Sequence, residues 1–167
     1  MAILLASLGA MIPSSALAAT APHYVSIVRT IDVARSAPSV WARVGHYCDL
    51  SKWLGAPCQI VAGKDGQIGV TRLVNHSITE ILIGQTATSY SYAQPETAGA
   101  QTHFYHGTLD VEPTGPHSSR IVYMLFYDNA AITDPTARAK ELEDRSALFE
   151  KAIKKMKSLA ESPATGG

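Results

Sequence analysis

His103-Phe104-Tyr105-His106-Gly107-Thr108-Leu109-Asp110-Val111 reads as a β-strand with an unusual inner face. Strand side chains alternate between two faces. One face carries His103, Tyr105, Gly107, Leu109 and Val111, and the other carries Phe104, His106, Thr108 and Asp110. The first set ends in two aliphatic residues, which directs it toward the core. An imidazole and a phenol are thereby expected on the core side, with His106 in solvent. A core built only for stability uses aliphatic residues at such positions. A chamber for a small molecule uses apolar walls with a few polar groups.

Outward from this strand the same pattern repeats. Residues 24–33 alternate through Val25, Ile27, Val28, Ile31 and Val33 and read as the first strand. Ser36, with Pro38 just inside the first turn, starts a helix, because proline there lacks only an N–H that has no partner anyway. Val40, Trp41, Val44 and Tyr47 follow at helical spacing. A second helical piece spans 48–54 and stops at Gly55-Ala56-Pro57. The period then changes to strands at 58–62, 69–74, 77–83, 88–94, 102–111 and 120–128. Gly63-Lys64-Asp65-Gly66, Asn75-His76 and Pro113-Thr114-Gly115-Pro116 are the turn signals between them. Asp134-Pro135 caps a long final helix. Its apolar stripe is expected to run through Ala139, Leu142, Leu148 or Phe149, Ala152, Ile153, Met156 and Leu159, with Arg145 as a basic interruption. Glu150 and Lys154 stand at stabilising (i, i+4) spacing. The order predicts an α+β domain, an antiparallel meander of about seven strands curling around one amphipathic helix.

The 167 residues are enough for one domain with a sizeable core. Net charge is zero and no basic stripe occurs, which argues against a nucleic-acid partner. Residues 1–12 are apolar, too short for a bilayer span, and Ala16-Leu17-Ala18 forms an A-x-A cleavage pattern. Residues 1–19 therefore read as a secretory signal peptide, although no Lys or Arg precedes the apolar stretch. Export to a bacterial periplasm is expected, with no stable membrane insertion after processing. Residues 162–167 read as a disordered tail. An oxidising compartment would permit a disulfide between Cys48 and Cys58; two buried thiols are the alternative. The histidines do not share metal-ligand spacing, so no metal site is expected. There is no Gly-x-Ser-x-Gly elbow and no phosphate loop, so covalent catalysis and a bound cofactor are not expected.

Several local patterns resemble those of the START-like (Bet v 1-like, SRPBCC) superfamily and its bacterial polyketide cyclase/dehydrase-like branch. Val33 through Trp41 resembles the branch's opening strand followed by a Pro-x-x-Val-Trp-type helix start. Gly45-His46-Tyr47 and Leu50-Ser51-Lys52-Trp53 resemble its next helix. Gly69-Val70-Thr71-Arg72 and Ile78-Thr79-Glu80-Ile81-Leu82 resemble two of its strands, and Tyr90-Ser91-Tyr92, 105–111 and 122–128 fit the later ones. Tyr123 stands where the branch often carries Trp, and the usual His-Pro after Trp53 is missing. The resemblance implies a helix-grip fold over residues 24–161, with two short helices after the first strand and a ligand chamber between the sheet and the long helix.

The chemistry-bearing residues suit such a chamber. Arg72 and Glu80 lie on strands joined by a tight turn and suit a buried ion pair. A structural clamp is one reading. In the other, Arg72 holds a carboxylate or enolate and Glu80 moves a proton. His103 is a candidate acid-base group because imidazole titrates near neutrality. Tyr90, Tyr92, Tyr105, Tyr123 and Tyr127 are phenols on successive strands. Each joins large apolar area to one polar tip, which suits an aromatic or polycyclic ligand. Trp53 is expected near the chamber mouth, with Arg145 and Phe149 reaching in from the helix. The expected function is binding of a small hydrophobic molecule, by a monomer or homodimer. The alternative is a cofactor-independent cyclase, dehydratase or lyase that uses Glu80 or His103.

Overall fold

The computed structural model describes residues 21–163. The expected signal peptide and residues 164–167 of the expected tail lie outside the described residues. The elements run β1 (Tyr24–Val33), α1 (Ala37–Val44), α2 (Leu50–Trp53), β2 (Cys58–Ala62), β3 (Thr71–Val74), β4 (Ile78–Gln85), β5 (Ser89–Ala93), β6 (His103–Gly115), β7 (Ser118–Asp128) and α3 (Pro135–Glu161). The strands form one seven-stranded sheet in the order β1-β7-β6-β5-β4-β3-β2. Every neighbouring pair is antiparallel. The long helix α3 packs against β1, β7, α1 and α2. This is the expected helix-grip arrangement.

Alternation explains the core. Val25, Ile27 and Val33 of β1 are buried, as are Leu109 and Val111 of β6 and Ile121 and Leu125 of β7. They join Phe149, Ala152, Ile153 and Met156 of α3 in a single cluster. Asp134 caps α3 through Oδ1, which accepts from the Ala137 amide at 2.7 Å, and Pro135 follows it. Ser36 occupies the cap of α1 without a side-chain capping bond; its hydroxyl pairs with Ser39 at 2.8 Å. Among the described residues no helix is long and apolar enough to cross a membrane.

The structure departs from the sequence reading in three places. The first half of α3 is not a core stripe. Its buried residues begin at Phe149, while Leu142 and Leu148 are 38% and 45% exposed. Strand β6 continues through Pro113, where the sequence suggests a break; Pro113 adjoins a register irregularity, so its missing N–H falls where pairing is already interrupted. Burial alternates from Phe104 through Gly107, but the backbone at the start of β6 is irregular. Phe104 has φ 51°, and the β6–β7 register shifts between His103 and His106. An irregularity of this kind re-aims the side chains that precede it.

Candidate functional site

Arg72 on β3 stands directly opposite Glu80 on β4. The connecting turn places Asn75 and His76 in left-handed conformations, φ 49° and 61°. Arg72 Nε donates to Glu80 Oε2 at 2.7 Å, and Nη2 lies 2.6 Å from the same oxygen. Arg72 Nη1 donates to the Tyr47 backbone carbonyl. Gln94 Nε2 donates to the other carboxylate oxygen, Glu80 Oε1, at 3.2 Å. Arg72 is 1% exposed and Glu80 6%. A buried ion pair is tolerable only when its remaining hydrogen-bonding positions are also met. Here three aromatic faces complete the enclosure: the guanidinium carbon lies 4.0 Å from the ring centre of Tyr47, 4.8 Å from Tyr92 and 5.7 Å from Tyr90.

The phenols form a connected inner wall. Tyr92 and Tyr123 pair hydroxyl to hydroxyl at 2.8 Å. Tyr92 reaches that position by crossing Gly107, where any Cβ would stand 2.3 Å from its ring. Tyr92 and Tyr105 follow one another at 6.4 Å between ring centres, and Tyr123 packs on Phe149 at 4.8 Å. Burial pushes the hydroxyls of Tyr90, Tyr92, Tyr105 and Tyr123 above the ordinary phenol value. They therefore stand as neutral donors at physiological pH. On the helix side, Arg145 pairs with Glu141 one turn away. Its guanidinium carbon sits 4.5 Å from the Tyr127 ring centre and 5.2 Å from that of Tyr105. Tyr127 Oη donates to Glu141 Oε2 at 3.0 Å.

These groups surround a partly open chamber of about 150 Å³ between the sheet and α3. α2 contributes Leu50 and Trp53; β3 and β4 contribute Arg72, Val74 and Glu80; the next three strands contribute Tyr92, Tyr105 and Tyr123; and α3 contributes Arg145, Leu148 and Phe149. An apolar cavity of roughly 150 Å³ takes a single benzene ring. The ion pair and the tyrosine rings occupy part of the interior, and beside Arg145 and Leu148 the chamber opens toward a wider groove along the first half of α3.

Of the residues singled out from sequence, Trp53, Arg72, Glu80, Tyr92, Tyr105, Tyr123, Arg145 and Phe149 line the chamber. Tyr90 lies behind Arg72, and Tyr127 lies behind Arg145. His103 does not line it. Its Nδ1 pairs with Glu96 Oε2 at 2.7 Å, and its side chain is 32% exposed. Glu96 also accepts from the Phe104 amide at 2.6 Å. That bond and the His103 pairing hold the Glu96 carboxyl below its ordinary value. Sequence reading missed Tyr47, whose carbonyl holds Arg72, and Gln94, which holds Glu80. Gln94 could have been found, since it stands two residues after Tyr92 and so shares its strand face. The role of Tyr47 rests on a backbone oxygen, which no side-chain pattern signals. Cys48 and Cys58 form a disulfide, with Cα atoms 5.4 Å apart. The bridge ties the start of the α2 segment to β2, next to Tyr47.

Solved structures with this fold are numerous. Norcoclaurine synthase from Thalictrum flavum, in complex with dopamine and hydroxybenzaldehyde, aligns with a TM-score of 0.61 at 20% identity, covering 94% of this chain and 99% of that one. The Zhui aromatase/cyclase from a Streptomyces species aligns with a TM-score of 0.62 at 15% identity, covering 87% and 99%. A protein from Nitrosospira multiformis aligns with a TM-score of 0.61 at 20% identity, covering 83% and 100%. At these identities the likeness is one of fold. No curated protein matches the sequence. A family model described as polyketide cyclase / dehydrase and lipid transport matches residues 24–161, from the first residue of β1 to the last of α3, and the chain belongs to that family.

Proposed function

We propose that the chamber between the sheet and α3 binds a small, mainly hydrophobic molecule that carries one ring and a hydrogen-bond acceptor. One observation carries this reading: inside an otherwise aromatic enclosure, the paired hydroxyls of Tyr92 and Tyr123 face the same space as Tyr105 and Arg72. When hydroxyls bond only to one another, one proton in the chain always stays uncommitted. That proton, beside a fixed positive charge, suits a carbonyl or phenolate oxygen. The dopamine and hydroxybenzaldehyde in complex with the norcoclaurine synthase are both aromatic molecules with oxygen substituents, which supports an aromatic, oxygen-bearing ligand. The test is native mass spectrometry of protein purified from its own host, followed by NMR titration with the molecule recovered. The expected result is a co-purifying one-ring compound that shifts Trp53 and Phe149. Absence of any bound compound, together with no shift at those residues on addition of simple phenols or aryl ketones, overturns the proposal.

A second reading has an observation in its favour. Arg72 and the phenol protons concentrate donors where an enolate oxygen would be stabilised, as a cofactor-independent cyclase, dehydratase or lyase requires. Both carboxylate oxygens of Glu80 are engaged, so in this reading Glu80 exchanges Gln94 for substrate before moving a proton. Glu80→Gln should then abolish turnover while ligand binding persists. Full turnover in Glu80→Gln removes Glu80 from the chemistry. We further propose export to a periplasm, supported by the Cys48–Cys58 bridge and by the leader-like N-terminal sequence. Fractionation of the native host tests it, and recovery of the chain in the cytosol overturns it.

A further inference from the structure

The main chamber, the space between the sheet and α3 described above, continues past Arg145 and Leu148 into a groove on the first half of α3. The groove has a volume of about 500 Å³ and is lined by Ala137, Lys140, Glu141, Asp144, Arg145 and Leu148. These positions follow one another turn by turn along one face of the helix. Lys140 Nζ sits 2.8 Å from Asp144 Oδ1, and Arg145 Nε donates to Glu141 Oε1. Leu148 is 45% exposed, so the groove is apolar where it joins the chamber.

Arg145 has donors to spare at this junction. A guanidinium carries five N–H groups. Nε is taken by Glu141, while Nη1 and Nη2 find no acceptor among the described residues. Neither nitrogen is sealed off. The only buried side-chain polar atoms without a partner among the described residues are the hydroxyls of Tyr47 and Tyr90, and the Arg145 side chain is 24% exposed. Glu141 also accepts from Tyr127 Oη at 3.0 Å and from Asn129 Nδ2 at 3.4 Å, so its charge is shared among three donors. Glu141 and the rings of Tyr127 and Tyr105 hold the guanidinium in place. The Tyr105 hydroxyl stands beside it, and burial keeps that proton on. A fixed guanidinium with one edge unused matches a carboxylate, which accepts two parallel N–H bonds. Arg72 already holds Glu80 and the Tyr47 carbonyl and is 1% exposed, so an entering anion meets Arg145 first.

We propose that Arg145 sets the class of ligand: the molecule whose ring enters the main chamber carries a carboxylate on a short flexible arm, and the Nη1–Nη2 edge of Arg145, together with the Tyr105 hydroxyl, binds that carboxylate where chamber and groove meet. This rests on the reading of the main chamber as the site of a one-ring ligand, and adds the ligand's charge and shape. A helix rises about 1.5 Å per residue, so Arg145 lies about 6 Å along α3 from Phe149. An arm of about two or three carbons beyond the ring bridges that distance, and Leu148 lies alongside it.

The probes are 3-phenylpropanoate and its neutral amide, 3-phenylpropanamide. Each is titrated into the purified protein and followed by two-dimensional NMR. Both should shift Trp53 and Phe149, and the acid should bind at least tenfold more tightly than the amide. In Arg145→Gln, and in Arg145→Gln/Glu141→Gln, which strands no carboxylate, affinity for the acid should fall to that for the amide. Affinity for the amide should hold. Tyr105→Phe should reduce the preference for the acid in part. Thermal melts check that each variant is folded, and the comparison of acid with amide in the unaltered protein depends on no variant. A purely structural Arg145 predicts that acid and amide lose affinity together. Equal binding of the two probes by the unaltered protein, or a preference for the acid that survives both Arg145 variants, overturns the proposal and leaves the one-ring reading of the main chamber standing. Binding of neither probe also overturns it; if simple phenols and aryl ketones then leave Trp53 and Phe149 unshifted as well, the reading of the main chamber falls with it.

Discussion

The Arg72–Glu80 pair shows how one residue organises a site. The guanidinium is bonded to a carboxylate and to the Tyr47 carbonyl and is covered by three tyrosine rings. Removing one charge strands the other in a low-dielectric interior, which costs about 3–5 kcal/mol, whereas replacing both with apolar residues is often tolerated. Arg72→Met should therefore destabilise the protein by about 3–5 kcal/mol, and Arg72→Met/Glu80→Leu should recover most of that loss. Urea-denaturation midpoints with unchanged slopes check both. A double variant no better than the single one would show that the pair contributes more than mutual neutralisation.

At the scale of elements, two features set the chamber's edges. The bulge at Phe104 turns His103 away from Tyr105 and into a surface contact with Glu96. Exposed pairs of this kind contribute little. His103→Ala should shift stability by less than about 0.5 kcal/mol and leave affinity for the main-chamber ligand unchanged. Loss of binding in that variant, measured by titration, would mean that His103 reaches the chamber. The disulfide spans a sequence separation of 10 and anchors the segment that carries Tyr47, Leu50 and Trp53. In the chain-entropy account, closing so short a loop is worth roughly 2–3 kcal/mol. Cys48→Ser/Cys58→Ser should therefore lose about that much stability. It should also weaken main-chamber binding, because α2 is its wall. Calorimetric melting and ligand titration of the oxidised, reduced and double-Ser proteins test the two effects separately.

At the scale of the whole molecule, six of the seven tyrosines are buried in one interior. Burial raises the hydroxyls of Tyr47, Tyr90, Tyr92, Tyr105, Tyr123 and Tyr127 above the ordinary value. The unfolded chain ionises its phenols near pH 10, while the folded chain keeps them protonated. Above that pH the unfolded state binds fewer protons than the native state, so stability falls as pH rises. The contribution is fully present below about pH 10 and lost through the folded values, at up to about 1.4 kcal/mol per pH unit for each phenol. Apart from the contribution of the exposed Tyr24, tyrosinate absorbance should rise in one cooperative step that coincides with loss of the fold. Gradual ionisation with the fold intact would show that the phenols are reached by solvent.

The order of elements, the family and most of the chamber wall were legible in the chain itself. Turn residues, alternation and caps are local signals, and Arg72, Tyr92, Tyr105 and Tyr123 follow from them once the strands are paired. Long-range contact decided the rest. Whether Cys48 and Cys58 would bond depended on how α2 meets β2. His103 left the inner face because one left-handed residue broke the period. The first half of α3 stayed exposed because no strand or helix covers Leu142 and Leu148. Sequence pattern tells which side chains share a face of an element; only the packed tertiary structure decides what, if anything, lies opposite that face, because opposing surfaces come from residues far apart along the chain.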